Sequence, residues 1–215
     1  MRHLICIFLL LLSMTSFSQN SEPNSFCSGK FVFSVGYGFP SLEESILGRN
    51  FHGGLNMTFD KTGYGPIHFR GEYGLSDKIG IGVSINYDHF SGTLKGITQQ
   101  IFPDGTIIRD TYQKTITSLT GLLRFNYHFA TNQKLDPYFS IGAGFRLTKT
   151  DFTTDNPRGT SRDYDIWVGN SELSPFPIGF EAVAGLRYYC TKHIGIYSEM
   201  GIAKSIIQIG LTAGF

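Results

Sequence analysis

Charged side chains are scarce in this sequence, and neither sign prevails. Of 215 residues, 16% are Asp, Glu, Lys or Arg, with 18 basic against 17 acidic residues. A protein that binds nucleic acid by bulk charge needs a basic excess that releases counterions from the phosphates, so this class is excluded. Disordered chains are rich in charge and poor in aromatic residues, whereas 14% of these residues are aromatic. The chain is therefore expected to fold.

Long apolar runs are also missing after residue 20. A membrane-spanning helix needs about 20 consecutive apolar residues, and no stretch in that part of the chain approaches this length. Before residue 20, Arg2 and His3 precede the apolar run 4–12, and the small residues Ser16 and Ser18 follow it. This pattern is typical of a secretory signal peptide. We predict a signal peptide over residues 1–18, with cleavage after Ser18.

Cysteine occurs only three times. Cys6 lies in the predicted signal peptide, so Cys27 and Cys190 remain in a compartment where disulfides persist. Both are expected at the same end of the structure, where they could form a disulfide. Two unpaired thiols are the alternative, and the sequence leaves both interpretations open.

Glycine is abundant, with 26 residues, and much of it lies in stretches that alternate apolar with small or polar residues. Alternation with period two predicts β-strands whose two faces have different surroundings. In one stretch Ile81, Val83 and Ile85 alternate with Gly82 and Ser84. Eight such stretches lie at about 31–39, 67–75, 79–88, 119–129, 139–147, 178–188, 194–202 and 207–215. We predict an all-β domain over residues 30–215, preceded by a short periplasmic tail at 19–29.

Long and short connections alternate between the eight stretches. The long ones are predicted at 40–64, 91–114 and 150–176, and the short ones at 76–78, 131–136 and 191–193. An antiparallel meander with long loops at one end and tight turns at the other is the layout of an outer-membrane barrel. Pro103-Asp104-Gly105 predicts a turn in the second long connection. The third and fourth strands are therefore expected to continue as a hairpin beyond the membrane.

Alternation alone also fits a soluble barrel that carries an apolar ligand. Two features of the faces favour a membrane barrel instead. Strand glycines such as Gly82 and Gly144 fall on the polar face, and small residues suit the crowded interior of an eight-stranded barrel. Aromatic residues such as Tyr37 and Tyr127 gather at the strand ends of the apolar face, as they do at the two interfaces of a bilayer.

The polar face also carries mid-strand charges of both signs in equal number, as a closed interior requires. Exposing Arg70 or Arg124 to lipid would cost about 2–4 kcal/mol each, so the opposite orientation is disfavoured. We predict an eight-stranded antiparallel up-and-down transmembrane β-barrel with a plugged polar interior. Its interior charge network is predicted to consist of Arg70, Glu72, Asp88, Arg124, Arg146, Glu181, Arg187 and Glu199.

With this pattern, the chain resembles the small outer-membrane β-barrel families of Gram-negative bacteria, the OmpA-like and OmpW-like eight-stranded barrels. The resemblance runs from about Lys30 to Phe215. It is most specific in the last stretch, where Ile207, Ile209 and Leu211 alternate before the final Phe215. It implies an outer-membrane location and a barrel-assembly machinery that reads this stretch as an assembly signal. Because the sequence stops at Phe215, no cell-wall-binding domain is expected after the barrel.

Few residues of this sequence suggest chemistry. Some small barrels are lipid-modifying enzymes, and His89 and Ser91 share the apolar face of the third strand, as a base and a nucleophile in a lipid A deacylase would. Asp88 points to the opposite face and cannot orient His89. The histidines are scattered without zinc-ligand spacing, so neither a metal nor a cofactor is expected.

The function predicted from the sequence is that of a non-catalytic, monomeric surface protein with extended extracellular loops, surrounded by outer-membrane lipid. The segment 158–167 in the third long loop mixes charged residues with Tyr164 and Trp167, but no ligand for it is identified. Three alternatives stay open: a lipid-modifying enzyme of the outer leaflet, a narrow channel, and a secreted soluble barrel that binds an apolar ligand.

Overall fold

Eight antiparallel strands form one closed barrel in the computed structural model, which describes residues 24–42, 58–96, 110–129, 131–155 and 177–215. The strands are β1 (Phe31–Ser41), β2 (Thr58–Gly74), β3 (Ile79–Lys95), β4 (Thr111–His128), β5 (Leu135–Thr154), β6 (Ile178–Tyr189), β7 (Ile194–Ile202) and β8 (Ser205–Gly214). Each strand pairs with the next in sequence, and β8 pairs with β1. The predicted fold class is confirmed. Within the described ranges, no helix is both long and apolar enough to cross a membrane.

The two faces of the wall differ as the alternation predicts. In β3, the outward side chains of Ile81, Val83 and Ile85 are 47%, 51% and 50% exposed. Ser84 and Asn86 point inward and are each 1% exposed. The apolar face therefore lies outside and the polar face lines the lumen, the reverse of a soluble barrel that holds an apolar ligand.

Aromatic side chains lie at two levels on the outer face. Tyr37 and Phe145 are exposed towards the loop side of the barrel, and Tyr127 and Tyr188 are exposed towards the side of the short turns. Aromatic girdles at these two levels are typical of the bilayer interfaces, with an apolar band between them.

Glycines on the inner face make room for two large rings. A Cβ atom added to Gly36 would collide with the Tyr197 hydroxyl, and one added to Gly185 would collide with the Tyr138 ring. Both tyrosines are almost completely buried in the lumen. Glycine is therefore required at these two positions, because the rings lie too close to the backbone there for a Cβ atom.

The strands differ in length, and the difference lies on one side. β7 and β8 have 9 and 10 residues, close to the ~9–11 that cross a bilayer. β2 to β5 have 17 to 20 residues. The short turns after β2, β4 and β6 all lie at the other end. The additional residues of β2 to β5 therefore lie on the loop side. They include the predicted hairpin of β3 and β4, whose pairing continues to Lys95 and Thr111.

The first long connection is shorter than predicted, because residues 58–64 belong to β2. An irregularity in the pairing of β2 with β3 lies between Tyr64 and Ile67, where Gly65 has a φ of 102°. Such a bulge shifts the alternation by one residue. Phe59 and Phe69 are both odd-numbered residues of β2. Phe69 faces outward, whereas Phe59 pairs with the buried Leu94 on the inner side. Residues 91–95, 111–114 and 150–154 also belong to strands rather than to loops.

Several predictions fall on residues outside the described ranges. These are the signal peptide at 1–18, the turn at Pro103-Asp104-Gly105 and the aromatic segment around Trp167. They stay predictions.

Single cysteines at Val83 and Ser84 test the orientation of the wall. With Cys27 and Cys190 both replaced by serine, a spin label on Val83→Cys should respond to oxygen, which concentrates in lipid, because Val83 lies on the outer face. Ser84→Cys should react poorly with water-soluble thiol reagents, because Ser84 is buried in the lumen. Paramagnetic relaxation in reconstituted vesicles measures the first and labelling yield the second. A Val83 label that responds to a water-soluble nickel complex and not to oxygen would contradict this orientation.

Candidate functional site

Four charged residues from four strands meet in the middle of the lumen. Glu199 of β7 lies between two guanidinium groups, with 2.9 Å from Oε2 to Arg70 Nη2 and 2.9 Å from Oε1 to Arg124 Nη2. Glu181 of β6 lies 3.0 Å from Arg124 Nε. All four residues are buried. Two positive and two negative groups thus neutralise one another at this level, which we call the central layer.

Neutral side chains complete the central layer. The Tyr138 hydroxyl donates a hydrogen bond to Glu199 Oε1 at 2.6 Å. Arg124 Nε donates to Ser140 Oγ at 3.0 Å, and Arg70 donates to Gln208 Oε1. Buried charges are tolerated when they are both paired and hydrogen-bonded. Arg70, Arg124 and Glu199 meet both conditions, whereas Glu181 has the ion pair with Arg124 and no hydrogen bond among the described residues.

A second layer lies towards the short turns. His128 bridges two carboxylates, with Nδ1 2.6 Å from Asp136 Oδ1 and Nε2 2.7 Å from Glu72 Oε1. Arg187 lies 3.0 Å from Asp136 Oδ2 and also forms an ion pair with Glu72. The Arg187 guanidinium stands 4.3 Å from the centroid of the Tyr138 ring. Through that ring, this turn-side layer is in contact with the central layer.

The chain segment before β1 covers the turn-side layer. Phe26 is fully buried and stacks on His128, with ring centroids 3.5 Å apart. The Ser25 backbone N–H donates to the Asn132 carbonyl at 2.7 Å. Burial lowers the pKa of Lys30, whose ammonium lies 4.8 Å from the Tyr189 ring centroid. Residues 24–30, predicted only as a tail, are therefore folded against the turn side of the barrel.

A third layer lies at the loop side. Lys204, in the turn between β7 and β8, lies 3.0 Å from Asp88 Oδ1 and donates to Ser118 Oγ at 2.6 Å. Arg146 Nε donates to the same Ser118 oxygen at 3.2 Å. Burial lowers the pKa of Lys204 to about 8, although the Asp88 carboxylate acts in the opposite direction. This loop-side layer thus brings together two cations and one carboxylate.

The eight residues predicted as an interior network all point into the lumen, and the structure distributes them over the three layers. Two of their ion-pair partners, Asp136 and Lys204, were missed. Asp136 lies in the predicted short connection 131–136, and Lys204 lies between the predicted stretches 194–202 and 207–215, so no alternation indicates the direction of either side chain. The even position of His128 in the fourth stretch predicts an inward side chain, which is confirmed, but its bridging role depends on Asp136.

His89 and Ser91 share the outward side of β3, but their hydrogen bonds go to β4. His89 Nδ1 lies 2.9 Å from Thr117 Oγ1. Ser91 Oγ accepts hydrogen bonds from Gln113 Nε2 at 2.9 Å and from Thr115 Oγ1 at 3.1 Å. These contacts tie each side chain to the neighbouring strand rather than to the other member of the pair.

Cys27 and Cys190 are free thiols, the first partly buried and the second exposed. Of the two alternatives that the sequence leaves open, the structure has the unpaired one. Within the described ranges, no group of three His, Cys, Asp or Glu residues is placed to hold a metal ion.

Comparison with family models defines the class of the protein. Residues 4–211 match the outer membrane protein beta-barrel domain, so the chain belongs to this family. The resemblance seen in the sequence is thereby confirmed, and the family implies location in the outer membrane. Comparison with the curated proteins gives no significant match.

Three solved structures illustrate the likeness at the level of whole chains. Ail, the attachment invasion locus protein of Yersinia pestis, is 12% identical, with 87% of this chain and 99% of that chain covered and a TM-score of 0.38. OprG from Pseudomonas aeruginosa is 12% identical, with 88% and 97% covered and a TM-score of 0.40. Outer Membrane Protein W of E. coli is 14% identical, with 87% and 97% covered and a TM-score of 0.38. Likeness at this level says nothing about function.

Replacing Glu199 by Gln tests the central layer. The change keeps the size of the side chain and leaves Arg70 and Arg124 without their shared carboxylate. Breaking a buried ion pair costs about 3–5 kcal/mol, so the free energy of unfolding should fall by that order. Urea unfolding of the refolded barrel in lipid vesicles, followed by tyrosine and tryptophan fluorescence, measures it.

The exposed pair of Lys95 and Asp60 provides the matched control, because its atoms lie 2.9 Å apart but both side chains are more than half exposed. Asp60→Asn should change the free energy of unfolding by less than about 1 kcal/mol. Equal effects of the two substitutions would show that the central layer is not a buried network.

Proposed function

We propose that the protein is a non-catalytic barrel of the outer membrane whose lumen is plugged by its own side chains. The observation that carries this proposal is the stacking of three hydrogen-bonded charged layers along the barrel axis. An eight-stranded barrel has an interior just wide enough for side chains. An ion that crossed this lumen would have to displace paired, buried charges such as Glu199 and Arg124.

We propose further that the working surface lies outside the cell, on the tall part of the wall. The upper parts of β2 to β5 form a four-stranded sheet whose inner face carries an apolar cluster of Leu94 with Phe59, Tyr112 and Phe152. Side-chain packing of this kind can stabilise strands that neither the lipid nor a closed barrel supports. Such a sheet would hold the rest of the predicted long connections 91–114 and 150–176 away from the membrane, where a partner can reach them.

The proposal extends to the export, insertion and oligomeric state of the protein. We propose that it is exported with cleavage after Ser18, inserted by the barrel-assembly machinery and active as a monomer. The outward alternation of Ile209 and Leu211 in β8 and the pairing of β8 with β1 support insertion of a barrel that seals its own edges.

Conductance measurements test the plugged lumen. The purified barrel, refolded and added to a planar bilayer, should produce no steps of current, because the three layers occupy the lumen. A wide porin reconstituted in the same bilayers serves as the positive control. Stable, voltage-independent steps that scale with the amount of folded protein would overturn the proposal in favour of a channel.

Lipid A masses test the absence of an acyl-transfer or hydrolytic activity. Expression of the chain in a Gram-negative host should leave the lipid A mass spectrum unchanged, because the described side-chain hydrogen bonds of His89 and Ser91 go to Thr117, Gln113 and Thr115. The matched strain carries His89→Ala together with Ser91→Ala. Loss of one acyl chain that appears with the unchanged protein and disappears with the double variant would show that it is an enzyme.

A further inference from the structure

The segment that leads into β1 crosses the whole mouth of the barrel at the turn side. In the closed barrel β1 and β5 lie four positions apart in either direction, so they stand opposite each other. Ser25 nevertheless reaches the far side, where its N–H donates to the Asn132 carbonyl and its Oγ donates to the Leu135 carbonyl, both at 2.7 Å. Leu135 is the first residue of β5. We call residues 24–30 the strap.

The two ends of the strap are held in different ways. At the near end its backbone continues the wall of the barrel, since the Gly29 N–H donates to the Gly74 carbonyl at 2.8 Å and the Gly74 N–H donates to the Lys30 carbonyl at 2.9 Å. The far end is held by the two hydrogen bonds of Ser25 and by the ring of Phe26. The far end can therefore leave the barrel while the near end stays attached.

Phe26 is the side chain that closes the mouth. Its ring lies parallel to the His128 imidazole, with 3.5 Å between the ring centroids and 8° between the planes. Both residues are almost completely buried. The ring of Phe26 thus separates the imidazole from the space below the barrel, and the closed strap depends on the state of this imidazole.

Both nitrogens of the His128 imidazole carry a proton. Nδ1 lies 2.6 Å from Asp136 Oδ1, and Nε2 lies 2.7 Å from Glu72 Oε1. An ionised carboxylate only accepts hydrogen bonds, so each ring nitrogen has to donate. Both carboxylates are also paired with Arg187, and a neighbouring cation favours their ionised form. His128 is therefore an imidazolium, and two cations face two anions among these four residues.

Loss of one proton from the ring would weaken the far end of the strap in two ways. A neutral imidazole donates from one nitrogen only, so the other would direct a lone pair at a carboxylate oxygen less than 3 Å away, and the ring could not keep its position. A cation also attracts the face of an aromatic ring, and the Phe26 ring would lose this attraction.

Other ionisable groups lie around the imidazole and have to be distinguished from it. They are Glu72 of β2, Asp136 and Tyr138 of β5, Arg187 of β6, and Cys27 and Lys30 of the strap itself. Carboxylates and guanidinium groups do not titrate between neutral and alkaline pH. Burial lowers the pKa of Lys30, so its titration is the one that a test must separate from that of His128.

We propose that the strap is a pH-dependent lid of the turn-side mouth, closed while His128 is an imidazolium and open when the ring has lost its proton. The short turns of an outer-membrane barrel face the periplasm, so opening exposes the turn-side layer to that compartment. The central layer around Glu199 stays in place above it. The lid is therefore independent of the plugged lumen in the proposed function.

The native thiol of Cys27 reports the position of the strap, because Cys27 is a partly buried residue within it. The full barrel with Cys190→Ser is refolded in detergent micelles, and mass spectrometry measures the rate at which iodoacetamide labels Cys27. The thiolate fraction of a cysteine rises with pH, so the series from about pH 6 to about pH 10 needs a reference. The exposed Cys190 in a barrel with Cys27→Ser provides it.

The ratio of the Cys27 rate to the Cys190 rate should rise about tenfold with pH, as the loss of a desolvated cation–aromatic contact allows. Phe26→Ala and His128→Gln should each give the high ratio at every pH, because the first removes the ring and the second cannot become an imidazolium. Lys30→Gln is the matched control and should retain the rise. Heat-modifiability on gels verifies that each variant is a folded barrel, and Phe26→Ala decides alone if His128→Gln does not fold.

Three results would overturn the proposal: a ratio that stays constant with pH, a rise that survives in Phe26→Ala or His128→Gln, or a rise that disappears in Lys30→Gln. Any of them would leave the conductance test of the plugged lumen unaffected. Conversely, a conducting barrel that still shows the rise would overturn only the proposed function.

Discussion

Glu199 lies between the guanidinium groups of Arg70 and Arg124, and the rest of the lumen is arranged around this contact. A single charge without a partner there would have neither water nor a counter-ion to stabilise it. The three residues belong to β7, β2 and β4, which are not all neighbours in the wall. Backbone hydrogen bonds determine the order of the strands around the barrel, whereas these ion pairs link strands that share no backbone hydrogen bonds. They therefore restrict the stagger of the whole barrel.

The space needed for this network comes from glycine. Tyr138 donates to Glu199 and also lies under Arg187, so one ring serves two layers. The ring can take this position only because Gly185 on the neighbouring strand has no side chain. Large polar side chains and glycines on the inner face are thus complementary, in the same way that large and small residues interdigitate in other narrow barrels.

The orientation of the wall could be predicted from the sequence because a strand has a side-chain period of two, and Val83 and Ser84 lie on the expected faces. The height of each residue in the lumen could not be predicted, because alternation gives the face of a strand but not its stagger against strands across the barrel. The partners Asp136 and Lys204 were missed for another reason, because both lie in connections between the predicted strands, where no alternation indicates the direction of a side chain. The upper part of β2 was missed for a local reason, since the bulge at Gly65 interrupts the alternation on which the prediction depends.

The shortness of β7 and β8 has a structural consequence for the loop-side layer. Asp88 is completely buried in β3, and its partner Lys204 comes from the turn that ends the β7–β8 hairpin. If this hairpin were as tall as that of β3 and β4, the same turn would lie well above Asp88, and the carboxylate would lose its counter-charge. A low turn therefore supplies the cation that Asp88 requires. It also ends the pairing with β6 at Ala182, so the interruption of the wall and the neutralisation of Asp88 have the same cause.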